Sequence, residues 1–175
     1  MNRLIQPEGN PLPHRRSAGS PLAALLAPFV LFALASCATF PPDRGHPPTD
    51  RERALALVSL VNSGSVSGTE GILLAPFAFD GEILYLEGDV LKLWKNLEGA
   101  SFSLEGASIE SCAPAGDDAW TLFGDTPDMQ RFFRAYSGKD SLIAAFDTDR
   151  GRWLFLLEGS TGSFPGIRGL KGPDR

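Results

Sequence analysis

Histidine and cysteine, which most often carry nucleophilic or metal chemistry, are few in this sequence. The 175 residues include two histidines, His14 and His46, and two cysteines, Cys37 and Cys112. Both histidines precede the segment that is interpreted below as the folded domain. A Ser-His-Asp or Cys-His arrangement needs a histidine beside the nucleophile, and zinc sites need several histidines or cysteines. The sequence therefore excludes these arrangements and predicts no metal site and no cofactor.

Carboxylates and tyrosines remain as candidate polar groups of a pocket. Asp80, Glu82, Tyr85 and Tyr136 lie in or beside apolar runs. A carboxylate in an apolar cavity has a raised pKa and can serve as a general base. The simpler interpretation is that Asp80 shapes a turn and that both tyrosines pack in the core. We favour the simpler interpretation because aspartate is common in turns.

Three acidic residues near the end of the chain match part of the calcium-binding EF-hand spacing. Asp147, Asp149 and Glu158 occupy positions 1, 3 and 12 of such a loop. Position 5 is Gly151 and position 6 is Arg152, where the loop requires an oxygen ligand and a glycine. The stretch "DTDRG" between two apolar runs is therefore predicted to be a hairpin turn.

Residues 1–36 have the layout of a secretory signal peptide. Positive charges, Arg3, Arg15 and Arg16, come first, and an uncharged apolar run with small residues follows. The run from Leu22 to Ser36 has 15 residues, whereas a membrane-spanning helix needs about 20. We therefore expect a segment that is removed after export and not a membrane span.

The residues Leu34-Ala35-Ser36-Cys37 resemble the lipobox of bacterial lipoproteins. The resemblance implies cleavage between Ser36 and Cys37, a diacylglycerol on the Cys37 sulfur, and a further acyl chain such as palmitate on the new amino terminus. Two or three acyl chains anchor a protein stably to a membrane. The alternative is an ordinary secretory signal in which Cys37 is incidental.

The expected location follows from the same resemblance. Ala38 and not an aspartate follows Cys37, which resembles lipoproteins of the outer membrane in hosts that have two membranes. In a host with one membrane the protein would stay on the plasma membrane. The proline-rich residues 37–49 are expected to form an extended tether.

The charge of the remaining chain argues against a nucleic-acid partner. Without residues 1–36, the 16 basic and 21 acidic residues fall to 13 and 20, a net charge of −7. Nucleic-acid binding needs a clustered basic face, and we see none. The remaining cysteine, Cys112, has no basic neighbour in "SIESCAPAG" and is predicted to be a half-buried structural thiol.

The first half of the predicted domain, residues 50–166, should begin with a helix. Thr49 and Glu52 form a capping-box pair, and the helix should end near Asn62 or Gly64. The dipeptide Asp80-Gly81 between apolar runs predicts a hairpin. A second helix should be capped by Asp89. Its apolar face is predicted to hold Val90, Leu93, Trp94 and Leu97.

The second half of the domain is predicted to contain mostly strands. The pattern slips at Gly106, "AWTLFG" is typical of a short strand, and residues 126–137 are typical of a helix, with a strand as the alternative. Trp153 to Leu157 should form a central strand that is covered on both faces. The tryptophans Trp94, Trp120 and Trp153 should pack in the core. Residues 167–175 are predicted to be a flexible tail.

This element order predicts a small α+β domain with N-terminal helices packed on a curved, mainly antiparallel sheet, a cystatin-like roll. Residues 51–98, including "LLAPFAFDGEILYLEGDVLKLWKNL", resemble the nuclear-transport-factor-two-like (SnoaL-like) superfamily. Some SnoaL-like enzymes use a pocket carboxylate as a general base, and many use a histidine that this domain lacks. The resemblance assigns no catalytic role to a defined residue here.

The functional expectation is a membrane-anchored envelope lipoprotein with a non-catalytic domain that binds a ligand or a protein. Its partners would be the membrane, through the N-terminal lipid, and an envelope protein or a small apolar ligand. The alternative is a SnoaL-like enzyme with Asp80 or Glu82 as the base. A third possibility is a structural spacer, which a large exposed apolar patch would contradict.

Overall fold

The computed structural model describes residues 47–161 and 164–174. The signal segment, Cys37 and the tether up to His46 lie outside the described residues. Four α-helices, one 3-10 helix (Val66–Gly68) and six strands make up the described chain. The helices are α1 (Asp50–Asn62), α2 (Glu87–Gly99), α3 (Trp120–Phe123) and α4 (Pro127–Tyr136). The strands are β1 (Leu73–Phe79), β2 (Glu82–Leu84), β3 (Ser108–Pro114), β4 (Leu142–Thr148), β5 (Gly151–Thr161) and β6 (Phe164–Asp174).

The six strands form one sheet in the order β2-β1-β6-β5-β4-β3. All neighbouring pairs are antiparallel except β1 and β6, which run parallel. The expected α+β class with a mainly antiparallel sheet is therefore confirmed. The chain places its last strand, β6, in the middle of this sheet.

Two hydrophobic clusters cover the two faces of the sheet. On one face α1 and α2 pack over Ala144, Phe155 and Ile167. On the other face α3 and α4 pack over Ala145 and Leu154. Because neighbouring side chains on a strand point to opposite faces, β5 contributes to both clusters, as the unbroken apolar run predicted. Trp94 and Trp153 are buried, and Trp120 packs partly buried on the second cluster, which confirms the core prediction.

Helix α1 begins as its sequence predicts. The Thr49 side chain accepts a hydrogen bond from the Glu52 backbone N–H, and the Glu52 carboxylate accepts one from the Thr49 N–H at 2.7 Å. This capping box satisfies backbone donors that the first helical turn cannot pair internally. The helix ends at Asn62, as expected.

The β1–β2 hairpin also matches the prediction. Phe79 pairs with Glu82, so Asp80 and Gly81 form a two-residue loop. Asp80 has φ 47° and Gly81 has φ 91°. Positive φ at both positions is typical of the type I′ turn, which fits the twist of the flanking strands.

Helix α2 begins earlier than predicted. Its first residue is Glu87 and its N-cap is Leu86, which makes no side-chain capping hydrogen bond. Asp89 lies inside the first turn and is not the cap. The predicted apolar face is correct, because Val90 and Trp94 are buried and Leu93 and Leu97 pack against the same cluster.

The segment "AWTLFG" is a short helix and not the predicted strand. Turns at Gly116–Ala119 lead into α3, and Gly124 follows it. A Cβ on Gly124 would lie 2.9 Å from Gly81 Cα, so the chain after α3 packs directly on the β1–β2 turn. This tertiary contact, together with the burial of Phe123, outweighs the local preference for strand.

Helix α4 is confirmed, and its strand alternative is wrong. Thr126 caps it by accepting a hydrogen bond from the Met129 N–H, and Pro127 occupies the first turn. Met129, Phe132 and Phe133 are buried on one face. The β4–β5 hairpin around "DTDRG" is confirmed as well, with Thr148 paired to Gly151.

The predicted flexible tail, residues 167–175, is wrong over the described range, and the domain extends to Asp174. Residues 164–174 form β6, which pairs with both β1 and β5. The prediction was wrong because the glycines of this segment are typical of irregular chain ends. A Cβ on Gly169 would lie 3.1 Å from the Phe123 ring and 3.2 Å from Ala78 Cβ, so glycine is needed for close packing there.

Candidate functional site

The four residues that the sequence offered as pocket groups do not meet in a pocket. Asp80 is exposed in the β1–β2 turn, as the simpler interpretation predicted, and Glu82 is exposed on the edge strand β2. Tyr85 is 66% exposed and Tyr136 is 42% exposed, so the prediction that both tyrosines pack in the core is wrong. Neither acid has the burial that a general base in an apolar cavity requires.

A buried polar cluster that the sequence did not predict lies where β4 begins and β5 ends. We define the polar cluster as Arg53, Ser141, Glu158 and Arg168. The Ser141 hydroxyl, on a residue that is 2% exposed, donates to Glu158 Oε2 at 2.7 Å. Arg168 Nε lies 3.6 Å from Glu158 Oε1. Burial raises the pKa of Glu158, and the Ser141 hydrogen bond and the charges of Arg168 and Arg53 act in the opposite direction.

Arg53 joins the start of α1 to the sheet. Its Nη2 donates to the backbone carbonyl of Asp140 at 3.0 Å and also to the backbone carbonyl of Glu158. Its Nη1 lies 3.5 Å from the carboxylate of Asp50 in the same helix. The guanidinium group therefore binds α1, β5 and the loop before β4 together.

Arg168 makes a comparable connection on the other side of the cluster. Its Nη1 donates to the carbonyls of Ala75 and Pro76 in β1, at 3.2 and 3.3 Å. Its guanidinium carbon lies 5.5 Å from the centre of the Tyr136 ring, within the range of a cation–π contact. The polar cluster therefore runs continuously from the first turn of α1 to Tyr136.

The polar cluster holds elements of the fold together, because its arginines bond the backbone carbonyls of neighbouring segments. Both oxygens of Glu158 face groups of the protein, Ser141 on one side and Arg168 on the other. Three buried atoms, Arg53 Nε, Glu158 Oε1 and Arg168 Nε, lack a hydrogen-bond partner within the described chain. Glu158 Oε1 and Arg168 Nε face each other at 3.6 Å, so the Glu158 carboxylate is held in an ion pair and is not a free base.

An open depression of about 440 Å³ lies over Arg53 at the start of α1. Its lining carries charges of both signs, since Arg53 and Lys139 are basic and Asp50 and Asp140 are acidic. The lining is Pro47, Pro48, Asp50, Arg53, Pro114, Lys139, Asp140, Ser141 and Gly159. Two further open depressions lie beside Trp120 and beside the β4–β5 turn, and the four predicted pocket residues line none of the three.

The thiol of Cys112 is held by α1. Its Sγ donates to the Asp50 carbonyl at 3.1 Å, and the side chain is half-buried. Burial, with a smaller contribution from the negative charge of Asp50, raises the pKa of this thiol. A raised pKa lowers the thiolate fraction, which fits the predicted structural role.

The partial EF-hand spacing does not form a loop. Asp147 lies near the end of β4 and Asp149 lies in the β4–β5 turn, whereas Glu158 lies near the far end of β5, in the polar cluster. Over residues 47–161 and 164–174, no group of three His, Cys, Asp or Glu side chains is arranged to hold a metal ion. None of the helices in these ranges is long and apolar enough to cross a membrane.

A second feature that sequence reasoning missed is an exposed leucine at the N-cap of α2. Leu86 is 66% exposed and makes no capping hydrogen bond. The signal was present in the sequence, since "YLEGD" places two large apolar residues directly before a helical pattern.

The chain matches no protein-family model, no curated protein and no solved structure, so no activity carries over from a relative.

Proposed function

We propose that this protein is a lipid-anchored bacterial envelope lipoprotein whose α+β domain is a non-catalytic binding module. The sequence Leu34-Ala35-Ser36-Cys37, directly after an apolar run, carries the proposal. The anchored membrane is the outer membrane if the host has two. The short distance in sequence between Cys37 and the capped start of α1 at Thr49 supports a domain held close to the membrane.

A binding role fits the chemistry of the domain better than a catalytic role. The depression over Arg53 is open and carries both signs of charge. Such a surface suits a polar or zwitterionic segment of a partner, because complementary charges across an interface give specificity. An envelope protein with an exposed charged loop is the partner class that we propose for it.

The alternative, a SnoaL-like enzyme, lacks support from its named residues. Asp80 and Glu82 are exposed, and Glu158, whose pKa is raised by burial, is engaged by Ser141 and Arg168. A general base must be able to reach the proton that it removes. We therefore keep the binding module as the proposed function.

Membrane fractionation tests the anchor. Wild type, Cys37→Ala and Cys112→Ala are produced in the native host, and the membranes are washed with high salt and then with alkaline carbonate. We expect wild type and Cys112→Ala to stay with the membrane until detergent is added, because acyl chains and not charges hold them. Cys37→Ala should not be retained. Retention of Cys37→Ala, or loss of wild type in the salt wash, would contradict the proposal.

A further inference from the structure

The depression beside Trp120 lies between two segments of the chain. We define the Trp120 depression as the cavity of about 510 Å³ whose lining includes Asp117, Asp118, Trp120, Gln130, Arg134 and Ser137. The first three belong to the β3–α3 loop and α3, and the last three belong to α4 and its C-cap. Because Gln130, Arg134 and Ser137 are spaced by four and three residues, they share one side of α4. The volume is in the range of small-ligand sites.

Backbone hydrogen bonds fix both walls of the Trp120 depression. The Ala115 N–H donates to the carbonyl of Ser141 at 2.9 Å, and the Ala119 N–H donates to the carbonyl of Gly116 at 3.0 Å. On the other wall, the Gly138 N–H donates to the Ser141 hydroxyl at 2.7 Å, which ties the end of α4 to the polar cluster. Since the fold itself holds the walls in place, a ligand would bind with a smaller entropic cost.

Five polar side chains of the Trp120 depression are not used by the fold. They have no hydrogen-bond or ion-pair partner among the described residues, and they are Asp117, Asp118, Gln130, Arg134 and Ser137. By contrast, Asp128 and Arg131 of α4, which lie outside the lining, pair with each other. The polar groups that surround the cavity are therefore free to bind a ligand.

Trp120 adds an aromatic group to the same cavity. Part of its side chain packs on the second hydrophobic cluster, and part lines the Trp120 depression. Its indole N–H has no partner in the described part of the chain and reaches the surface, whereas Nε1 of Trp94 is both unpaired and buried. Trp120 therefore offers a ligand an apolar ring and a free hydrogen-bond donor.

The mixture of charges and hydrogen-bonding groups favours a neutral ligand with many hydroxyl groups. Asp117 and Asp118 oppose the entry of an anion, and Arg134 opposes the entry of a cation. The carboxylates only accept hydrogen bonds, the guanidinium group only donates them, and the amide and hydroxyl groups do both. The neighbouring hydroxyl groups of a sugar also donate and accept, and the C–H groups of its ring supply an apolar face for the indole.

We propose that the Trp120 depression binds a neutral glycan, with one pyranose ring against Trp120 and its hydroxyl groups bonded to Asp117 and Asp118. The Trp120 depression shares no lining residue with the depression over Arg53. The inference therefore goes beyond the proposed function, because it gives the binding module a second site with a ligand of its own. It does not depend on the lipid anchor.

Saturation-transfer NMR on the full protein tests the ligand class. The protein is made in the native host and kept in a phosphocholine detergent, because detergents with sugar headgroups would compete. The neutral probes are tetramers of α-linked glucose, β-linked glucose and β-linked N-acetylglucosamine, which distinguish a glucan from an amino-sugar glycan. The charged probes are tetramers of galacturonate and of glucosamine. We expect at least one neutral tetramer to bind at millimolar concentration and both charged tetramers to bind at least about fivefold more weakly.

Variants of the two walls test the location of the site. The double variant Asp117→Asn/Asp118→Asn should weaken binding of the neutral tetramer by about tenfold or more, because charge-assisted hydrogen bonds to hydroxyl groups are lost. Asp125→Asn, at an exposed acid outside the lining, is the matched control and should bind as wild type does.

Trp120→Ala should abolish binding, and Leu122→Ala, at an exposed residue of the same helix, should not change it. Circular dichroism shows whether each variant is folded. Trp120 packs partly on the core, whereas Asp117 and Asp118 are exposed, so the double variant tests the site even where Trp120→Ala is unfolded.

Three results would overturn the inference. The first is the absence of saturation transfer to all three neutral tetramers. The second is equal or tighter binding of a charged tetramer, which would mean that net charge selects the ligand. The third is unchanged binding in the folded double variant, which would place the glycan elsewhere on the protein. None of these results concerns Cys37, so the inference and the proposed lipoprotein can fail separately.

Discussion

Arg168 on β6 and Glu158 on β5 form an ion pair across neighbouring strands, with Nε 3.6 Å from Oε1 and both side chains only 16% exposed. The pair lies between two structural contacts, Arg53 on one side and Tyr136 on the other. A charged pair at this depth contributes to stability only when its remaining donors and acceptors are satisfied. Because burial raises the pKa of Glu158, the charge state of this pair, and with it the stability of the domain, depends on pH.

The pH dependence follows from the raised pKa of Glu158. The folded state holds the proton more tightly than the unfolded chain, where the pKa is near the usual 4.5. This contribution to stability is fully present below the unfolded pKa and is lost as the pH rises through the folded pKa. Glutamine does not ionise, so Glu158→Gln should not lose this stability as the pH rises. The difference in unfolding free energy, Glu158→Gln minus wild type, should therefore increase between about pH 4 and about pH 8.

Urea unfolding across this range measures the effect. Ser141→Ala removes a hydrogen bond that lowers the pKa of Glu158. The free energy of unfolding should therefore decline more steeply with pH in Ser141→Ala than in wild type. A difference between Glu158→Gln and wild type that falls with rising pH would show that the attraction to Arg168 outweighs the burial of the carboxylate.

Loss of the Arg53 guanidinium should destabilise the domain strongly. Arg53→Met leaves the carbonyls of Asp140 and Glu158 without their donor, so we expect a loss of about 2–4 kcal/mol in the free energy of unfolding. Arg51→Met, on the exposed face of the same helix, is the matched control and should change it by less than about 0.5 kcal/mol. Equal effects in chemical denaturation would contradict the role of Arg53.

Replacement of Leu86 by serine should stabilise the protein. The Asp89 backbone N–H already donates to the Leu86 carbonyl at 3.0 Å, so the serine hydroxyl would accept the backbone N–H of Gly88, the second residue of α2, and we expect a gain of about 1 kcal/mol. Thermal unfolding measures it. Tyr85→Ser, equally exposed but outside the cap position, should stay within about 0.5 kcal/mol of wild type. A loss of stability in Leu86→Ser would mean that the Leu86 side chain stabilises the domain by packing within it.

A methyl group at position 169 should be poorly tolerated. The added Cβ of Gly169→Ala would lie 3.1 Å from Phe123 and 3.2 Å from Ala78, so we expect a loss of about 1–3 kcal/mol. Gly159→Ala, where no atom lies within 4 Å of the added Cβ, is the control and should change stability by less than about 0.5 kcal/mol. A neutral Gly169→Ala in urea unfolding would contradict the central position of β6.

Local chemistry made part of this fold predictable from the sequence. The Thr49–Glu52 capping box, the Asp80-Gly81 turn and the Thr126 cap each depend on a few neighbouring residues. The run from Trp153 to Leu157 predicted a strand that is covered on both faces, because only such a strand can bury consecutive apolar residues.

Tertiary contacts decided the elements that the sequence did not predict. The glycines of β6 make its sequence resemble a loop. In the fold, Gly166, Gly169 and Gly172 are needed because side chains or backbone from distant segments pack closely against them. The polar cluster joins residues more than 80 positions apart, such as Arg53 and Asp140, and no local pattern marks them. The candidate carboxylates Asp80 and Glu82 were chosen from their apolar surroundings in sequence, which did not become a pocket in space.

The intact mass of the protein extracted from its host membranes tests the lipid anchor most directly. We expect the mass of residues 37–175 plus a diacylglycerol, usually with a further acyl chain, for wild type and, apart from the substituted side chain, for Cys112→Ala. Cys37→Ala should carry neither lipid. A wild-type chain with an unmodified Cys37, or one that begins at another residue, would contradict the proposed lipoprotein and would raise a disulfide between Cys37 and Cys112 as the next hypothesis.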